Sequence, residues 1–271
     1  MEKFEIKDYG KLREDLVKWI RDWFEKNGPG CNAIIGLSGG KDSTITAALC
    51  VEALGKDRVI GVAMPEVNQG INGADEIAEY LGIRFLKAPI GGIINGFKSM
   101  WYYFEDDGFQ WSNQSIQNIP PRIRMTMLYA IAQTFNGRVS CNCNLSEDWI
   151  GYSTIYGDQA GSFSPLALLT VTEIRKLGHE MGIPDKWVEK IPDDGLPNSC
   201  PDEEKFGFSY AVLDKYIRTG VCEDDEVKAK IDRMHEKNLF KVKMIRIPVF
   251  DPEVGILAKD EGGLYPVYDI D

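Results

Sequence analysis

The sequence predicts an α/β protein of one domain, a doubly wound parallel sheet flanked by helices. Three observations predict it. Short, fully apolar runs alternate with helical-period runs through the first ninety residues or so. The apolar runs lack polar alternation, the pattern of strands covered on both faces. A glycine-rich turn joins the first such strand to the helix after it. The size suits a substantial core: 271 residues, 44% hydrophobic and 27% charged.

Leu12, Leu16, Trp19, Ile20, Trp23 and Phe24 recur at helical spacing and predict an amphipathic helix over 9–27, ended by Asn27-Gly28-Pro29-Gly30. Ala33 to Leu37 reads as a buried strand, 43–54 as an Ala- and Leu-rich helix, and Val59 to Met64 as a second strand stopped by Pro65. Ala74 to Leu81 reads as a helix and Ile83 to Leu86 as a third strand. Further on, the pattern predicts a helix over 121–135, a strand over Val139 to Cys143, a helix over Thr172 to Met181, and a late helix over Asp224 to Leu239. The Pro-, Asp- and Gly-rich stretch from Pro184 to Gly207 and the tail from Pro248 read as irregular.

Composition narrows the function. Lys plus Arg number 31 against 42 Asp plus Glu, a net charge of −11, which disfavours a nucleic-acid partner. No run has the length of a membrane span, and the first residues carry no apolar signal core, so a cytoplasmic protein with no membrane partner is expected. The six cysteines read as reduced thiols, and Cys141 and Cys143 form C-x-C rather than a metal-finger spacing. With only His179 and His235, zinc sites and Ser-His-Asp triads are not expected.

The segment Gly36-Leu37-Ser38-Gly39-Gly40-Lys41-Asp42-Ser43 carries the chemistry. Glycines admit a ligand close to the backbone, and the following helix offers free N–H groups and a positive dipole end, a phosphate cradle. It is neither a Walker A loop nor a G-x-G-x-x-G fingerprint, because Gly36 to Gly40 is one residue short and Asp42 follows Lys41. A carboxylate beside a phosphate needs a cation between them, which implies Mg2+. A plain tight turn before a buried helix is the alternative for a bare Gly-Gly.

S-G-G-x-D-S resembles the loop of the N-type ATP pyrophosphatases, whose fold is adenine nucleotide alpha hydrolase-like. Later segments resemble the NAD synthetases among them. These are Asn118-Ile119-Pro120-Pro121-Arg122-Ile123-Arg124-Met125, the run from Asn142 through Glu147 to Thr154-Ile155-Tyr156-Gly157-Asp158, Ser164-Pro165-Leu166 with Leu169-Thr170, and Ile191-Pro192, Asp202-Glu203 and Gly207-Phe208-Ser209-Tyr210. The likeness runs over nearly the whole chain, with no glutaminase domain, as in the ammonia-dependent type.

The resemblance implies ATP-dependent amidation of deamido-NAD by ammonia. The nicotinate carboxylate takes AMP from ATP with loss of pyrophosphate, and ammonia displaces the AMP. It implies ATP binding by Gly36, Leu37, Ser38, Gly39, Gly40, Lys41, Asp42, Ser43, Gln69 and Asn142. It implies acceptor binding by Arg122, Asn118 and Lys243, a metal on Asp42 and Glu147, and charge handling by Lys41, Asp42 and Asp158. Several of these residues have blander readings. Glu147 could be a helix N-terminal acid capped by Ser146, Gln69 a solvated loop residue, and Asp158 a turn acid. Arg124 is either structural or a contact to a partner subunit.

The resemblance also implies a homodimer with substrate near the interface. Trp101, Tyr102, Tyr103 and Phe104 form an aromatic cluster suited to a subunit boundary or to stacking on the nicotinate.

The chain departs from the family pattern where cations are usual. Ile155 and Val171 stand where lysines are common, Ser162 near a usual aspartate, Lys243-Met244 where a late His-Lys pair is usual, and Asn144 where histidine is frequent. Arg175, Lys176, Lys241, Lys243 and Arg246 are the candidate replacements. The alternatives are a divergent paralogue amidating another carboxylate, a tRNA-modifying ATP pyrophosphatase, and a non-enzymatic nucleotide-binding module.

Overall fold

The computed structural model describes residues 5–66, 70–100, 102–103, 110–190 and 201–244, with side chains of the last helix given to 241. Helix α1 (Tyr9–Asn27) buries the six residues expected from its spacing, and Asp8 caps it by accepting from the Lys11 N–H at 2.8 Å. Strand β1 (Asn32–Gly36) leads into α2 (Lys41–Leu54), β2 (Val59–Ala63), α3 (Ala74–Leu81), β3 (Arg84–Lys87) and α4 (Gly91–Ser99). Then come α5 (Asn113–Thr134), β4 (Gly137–Val139), α6 (Leu145–Ile150) and α7 (Val171–Glu180). Last are α8 (Asp185–Val188), α9 (Asp202–Phe206), α10 (Tyr210–Thr219) and α11 (Asp225–Met244).

The four strands are all parallel, in the order β3-β2-β1-β4. From β1 the chain builds outward through β2 and β3, then returns to lay β4 on the other side. The strand order therefore reverses at β1. In open α/β sheets ligands bind at that reversal, beyond the carboxyl ends of the strands. Alternation along β1 divides the core. Ala33 and Ile35 pack with α1, α2, α3 and α7, whereas Ile34 packs with Ile60, Val62, Ile90, Ile94 and Leu128 on the α4–α5 face. A third apolar cluster is separate from both. It joins Leu145, Ile150, Val171, Phe206, Tyr210, Leu213 and Ile231 from α6, α7 and α9–α11.

The structure corrects several element boundaries. Helix α5 starts at Asn113, eight residues before the expected start, and carries Pro120 and Pro121 inside it. The prolines each remove a ladder donor. The Ser112 cap, which accepts from the Ser115 N–H at 3.1 Å, and the burial of Ile119 and Pro120 hold the extra turns. Strand β4 spans Gly137–Val139 rather than Val139 to Cys143; just beyond it the Ser140 N–H still bonds the Ile34 carbonyl of β1 at 3.0 Å, while on the opposite edge the Cys141 N–H bonds the Phe163 carbonyl at 2.9 Å. Helix α4 escapes sequence reading because Gly91, Gly92 and Gly96 depress helix propensity, although Ile90 and Ile94 repeat at helical spacing and are buried. The 184–207 stretch, expected to be irregular, contains the short helices α8 and α9.

Candidate functional site

The glycine-rich loop sits at the carboxyl end of β1, where the strand order reverses. Helix α2 begins at Lys41, two residues earlier than expected, so Lys41 and Asp42 lie on its first turn. Its N-cap is Gly40, with no side-chain cap, which leaves first-turn N–H groups open to a ligand. Gly39 has φ +80°, and a Cβ there would lie 2.2 Å from the Asn72 carbonyl oxygen. Gly39→Ala is therefore expected to move the loop off the Asn72 turn. The ATP-dependent turnover that the loop's resemblance implies should fall about 100-fold while α/β circular dichroism persists, and wild-type turnover in this variant would show that the loop tolerates the shift.

Hydroxyls line the loop. Ser38 and Ser43 Oγ lie 3.3 Å apart, the Gly40 N–H donates to Ser38 Oγ at 3.2 Å, and Ser43 Oγ donates to the Gly40 carbonyl at 3.1 Å. Lys41 does not extend into solvent. It is 3% exposed, and its Nζ donates to Asp42 Oδ2 at 2.9 Å. Burial works against the ammonium, but Asp42 and Glu147 together outweigh it and move its pKa upward.

Asp42 and Glu147 approach from opposite sides of the β1–β4 seam. Asn144 joins them. Its Nδ2 donates to Asp42 Oδ1 at 3.3 Å, while its Oδ1 accepts from the Glu147 N–H at 3.0 Å and caps α6. The cap of Glu147's helix is thus Asn144, not Ser146. Ser146 instead donates to Asp214 Oδ1 at 2.5 Å and accepts from the Val171 N–H. The Glu147 carboxylate has no hydrogen-bond partner among the described residues. Burial first, and then the Asp42 charge, push its pKa well above the ordinary carboxylate value, with Lys41 opposing. No cluster of three or more His, Cys, Asp or Glu side chains set to hold a metal occurs among the described residues. Any cation on these two carboxylates would draw its remaining oxygens from a ligand or water.

Asn142 Nδ2 donates to the Gly36 carbonyl at 3.3 Å and pins the ends of β1 and β4 together. Asn118 and Arg122, one turn apart on α5, both hold the 154–155 turn. Thr154 Oγ1 donates to Asn118 Oδ1 at 2.7 Å, and Arg122 Nε donates to the Ile155 carbonyl at 3.2 Å. Asp158 Oδ1 accepts from the Thr154 N–H at 2.7 Å. Asp158 keeps contact with water, yet the crowding around it raises its carboxyl pKa against that hydrogen bond. Arg124 makes its contacts within the subunit, donating to the Met64 carbonyl at 3.3 Å and to Glu66 at 3.0 Å.

The cation departures resolve unevenly. Val171 is fully buried in the third cluster and offers no charge. Lys241 reaches the 151–153 carbonyls, Gly151 at 2.7 Å and Ser153 at 3.0 Å, so a lysine from α11 supports the turn that carries Ile155. Lys176 lies over the Tyr9 ring. Arg175 Nε is 3.6 Å from Glu189. Gln69, Trp101, Phe104, the side chain of Lys243, and Arg246 lie outside the described residues. Cys31, Cys50, Cys141, Cys143 and Cys222 are free thiols, and no described helix is long and apolar enough to cross a membrane.

Sequence reasoning missed Asn144 as the link between the two carboxylates, and Lys190, whose Nζ donates to the Gly39 carbonyl at 2.9 Å. Asn144 did signal itself as an N-cap residue type three positions before Glu147. Nothing local marks Lys190.

Known proteins share this architecture and sequence. The NH(3)-dependent NAD(+) synthetase of Methanocaldococcus jannaschii is 36% identical over 78% of this chain and 82% of its own. That of Archaeoglobus fulgidus is 35% identical over 88% and 96%. Among solved structures, NMN synthetase from Francisella tularensis superposes with TM-score 0.79 at 27% identity, over 90% of this chain and 99% of that one. NH3-dependent NAD synthetase from Campylobacter jejuni, in complex with nitrate ion, gives 0.68 at 27% identity, over 89% and 99%. The family model described as NAD synthase matches residues 12–247, and by that match the chain belongs to the NAD synthase family.

Proposed function

We propose that this protein is an ammonia-dependent NAD synthetase: it adenylylates the nicotinate carboxylate of deamido-NAD with ATP and transfers the acyl group to ammonia. The observation that carries the reading is the convergence of Asp42 and Glu147, bridged by Asn144, on the serine-lined loop at the strand-order reversal. The α2 amides and the Ser38 and Ser43 hydroxyls would bind the terminal phosphates of ATP, with Asn142 and Gln69 toward the rest of the nucleotide. The donor set fits magnesium. Two oxygen ligands, one of them a carboxylate without a hydrogen-bond partner among the described residues, suit a hard cation completed by phosphate oxygens. Magnesium on Asp42 and Glu147 would supply neutralisation of the departing pyrophosphate. Lys41 holds Asp42 in place and keeps the pair of carboxylates from repelling each other apart. Asn118, Arg122 and Lys243 would hold the acceptor, and Asp158 would meet the ammonium character of the incoming nucleophile. Catalysis then rests on orientation and charge rather than a protein nucleophile.

A homodimer fits the apolar residues exposed on and just after α4: Ile93, Phe97, Met100, Tyr102 and Tyr103. The tRNA-thiolating alternative finds little support at Cys141 and Cys143. Both thiols are buried and donate to the Asp158 carbonyl.

A second reading changes only the acceptor. What supports it is the likeness to an NMN synthetase at TM-score 0.79, together with the apolar Ile155 and Val171: the acceptor would then be a mononucleotide carboxylate. One experiment separates the two. Purified protein with ATP, magnesium and ammonium is given deamido-NAD or its mononucleotide counterpart, and AMP is quantified beside the amide product. Equal AMP and NAD, dependent on deamido-NAD, is the expected result. Turnover with the mononucleotide alone would establish the second reading, and no AMP with either would overturn both.

A further inference from the structure

Lys190 lies just beyond α8, far in sequence from the glycine-rich loop, yet its ammonium is seated on it. Nζ donates to the Gly39 carbonyl at 2.9 Å and to the Asn72 carbonyl at 3.3 Å. Both carbonyls belong to residues with positive φ, +80° for Gly39 and 51° for Asn72. The two segments approach so closely that only glycine fits at 39. Two carbonyl dipoles turned toward one point repel unless a cation lies between them, and Lys190 supplies that cation.

The consequence is the direction of one peptide. The described backbone has no cis bonds, so the Gly39 carbonyl and the Gly40 N–H point opposite ways across a planar unit. With the carbonyl on Lys190, the Gly40 N–H faces Ser38 Oγ, 3.2 Å away, and Ser38 in turn lies 3.3 Å from Ser43. The amide thus shares a side with the two hydroxyls. Neither residue of this peptide has a side chain to resist a flip, and a flipped peptide would aim its carbonyl at the phosphates. We propose that Lys190 is a positioning residue. It fixes the Gly39–Gly40 peptide with its N–H toward the nucleotide phosphates, and it sets a positive charge beside the loop. The inference rests on the reading of this loop as the ATP site.

The test compares wild type with Lys190→Met and Lys190→Arg. Magnesium-ATP binding is measured by calorimetry without acceptor, and KM for ATP and for deamido-NAD are measured in turnover. The Met variant is expected to weaken ATP binding and raise KM for ATP about tenfold or more, the scale of a lost charge-assisted hydrogen bond, with KM for deamido-NAD little changed. Arg, which also donates to two carbonyls, recovers most of the loss. A latch that served stability alone would lower the melting temperature and leave KM for ATP at the wild-type value, and that result overturns the proposal. If Lys190→Met does not fold, Lys190→Gln, a donor without charge, takes its place against Arg with the same criterion. Wild type that binds no magnesium-ATP would instead refute the ATP reading, and this inference with it.

Discussion

Glu147→Gln is expected to lower kcat/KM for AMP formation about 1000-fold while leaving the fold intact. The substitution keeps the size of the side chain, and the cap of α6 survives because Asn144 accepts from the backbone N–H of residue 147, not from its side chain. What is lost is one of the two carboxylates that the proposed function places at the nucleotide site. Removing a single preorganised electrostatic group from a site of this kind costs two to three orders of magnitude, roughly 3–4 kcal/mol. The protein itself should not lose stability. Glu147 is a carboxylate held beside Asp42 without a hydrogen-bond partner among the described residues, so neutralising it relieves a repulsion. Steady-state kinetics beside a melting curve at neutral pH checks both halves. Wild-type turnover in Glu147→Gln would remove Glu147 from the site, and a large fall in melting temperature would assign it to the fold instead.

Arg218→Met carries the largest expected effect on stability. Arg218 grips Glu173 with two parallel bonds, Nε at 2.8 Å and Nη2 at 2.6 Å, and Nη2 also reaches the Leu168 carbonyl at 2.7 Å. Glu173 is buried and completes the capping box at the start of α7, accepting from the Thr170 N–H at 2.8 Å. Taking away the guanidinium strands a buried carboxylate, a loss of about 3–5 kcal/mol. For a chain of this size that is on the order of 10 °C in melting temperature. Adding Glu173→Gln should restore part of the loss, because the stranded charge is gone. A double variant no more stable than Arg218→Met would show that packing of the Arg218 stem, not charge, is the larger part.

What the sequence made legible follows from the range of the interactions. Helix α1 shows all six of its buried residues in its spacing, because a periodic apolar stripe is a local signal. The β1–loop–α2 unit is likewise contiguous, and its glycine-rich turn between strand and helix was readable from eight consecutive residues. Helix α5 was half legible. Pro120 and Pro121 argue locally for a helix start, whereas the burial of Ile119 and Pro120, a tertiary fact, carries the helix back to Ser112. Asn144 was read as a departure from a frequent histidine. Its partner Asp42 is 102 positions away, and only the pairing of β1 with β4 brings them together. Lys190 was hidden for the same reason, and Lys241 was visible as a candidate cation but not its contacts, since each acts on backbone carbonyls roughly 90 to 150 positions distant.

The partition of the apolar interior into separate clusters has a consequence for motion. Asp42 stands on a helix rooted in the cluster of α1, α2 and α7, and Glu147 on one rooted in the cluster of α6, α10 and α11. Each cluster is a candidate cooperative opening unit, and the carboxylates sit on opposite banks of the boundary between them. On the proposed function, a nucleotide bound to both banks would act as a staple. Its binding energy adds directly to the cost of parting the two units, so amides deep in α10 and α11, which touch no substrate, become slower to exchange with solvent when the loop is filled.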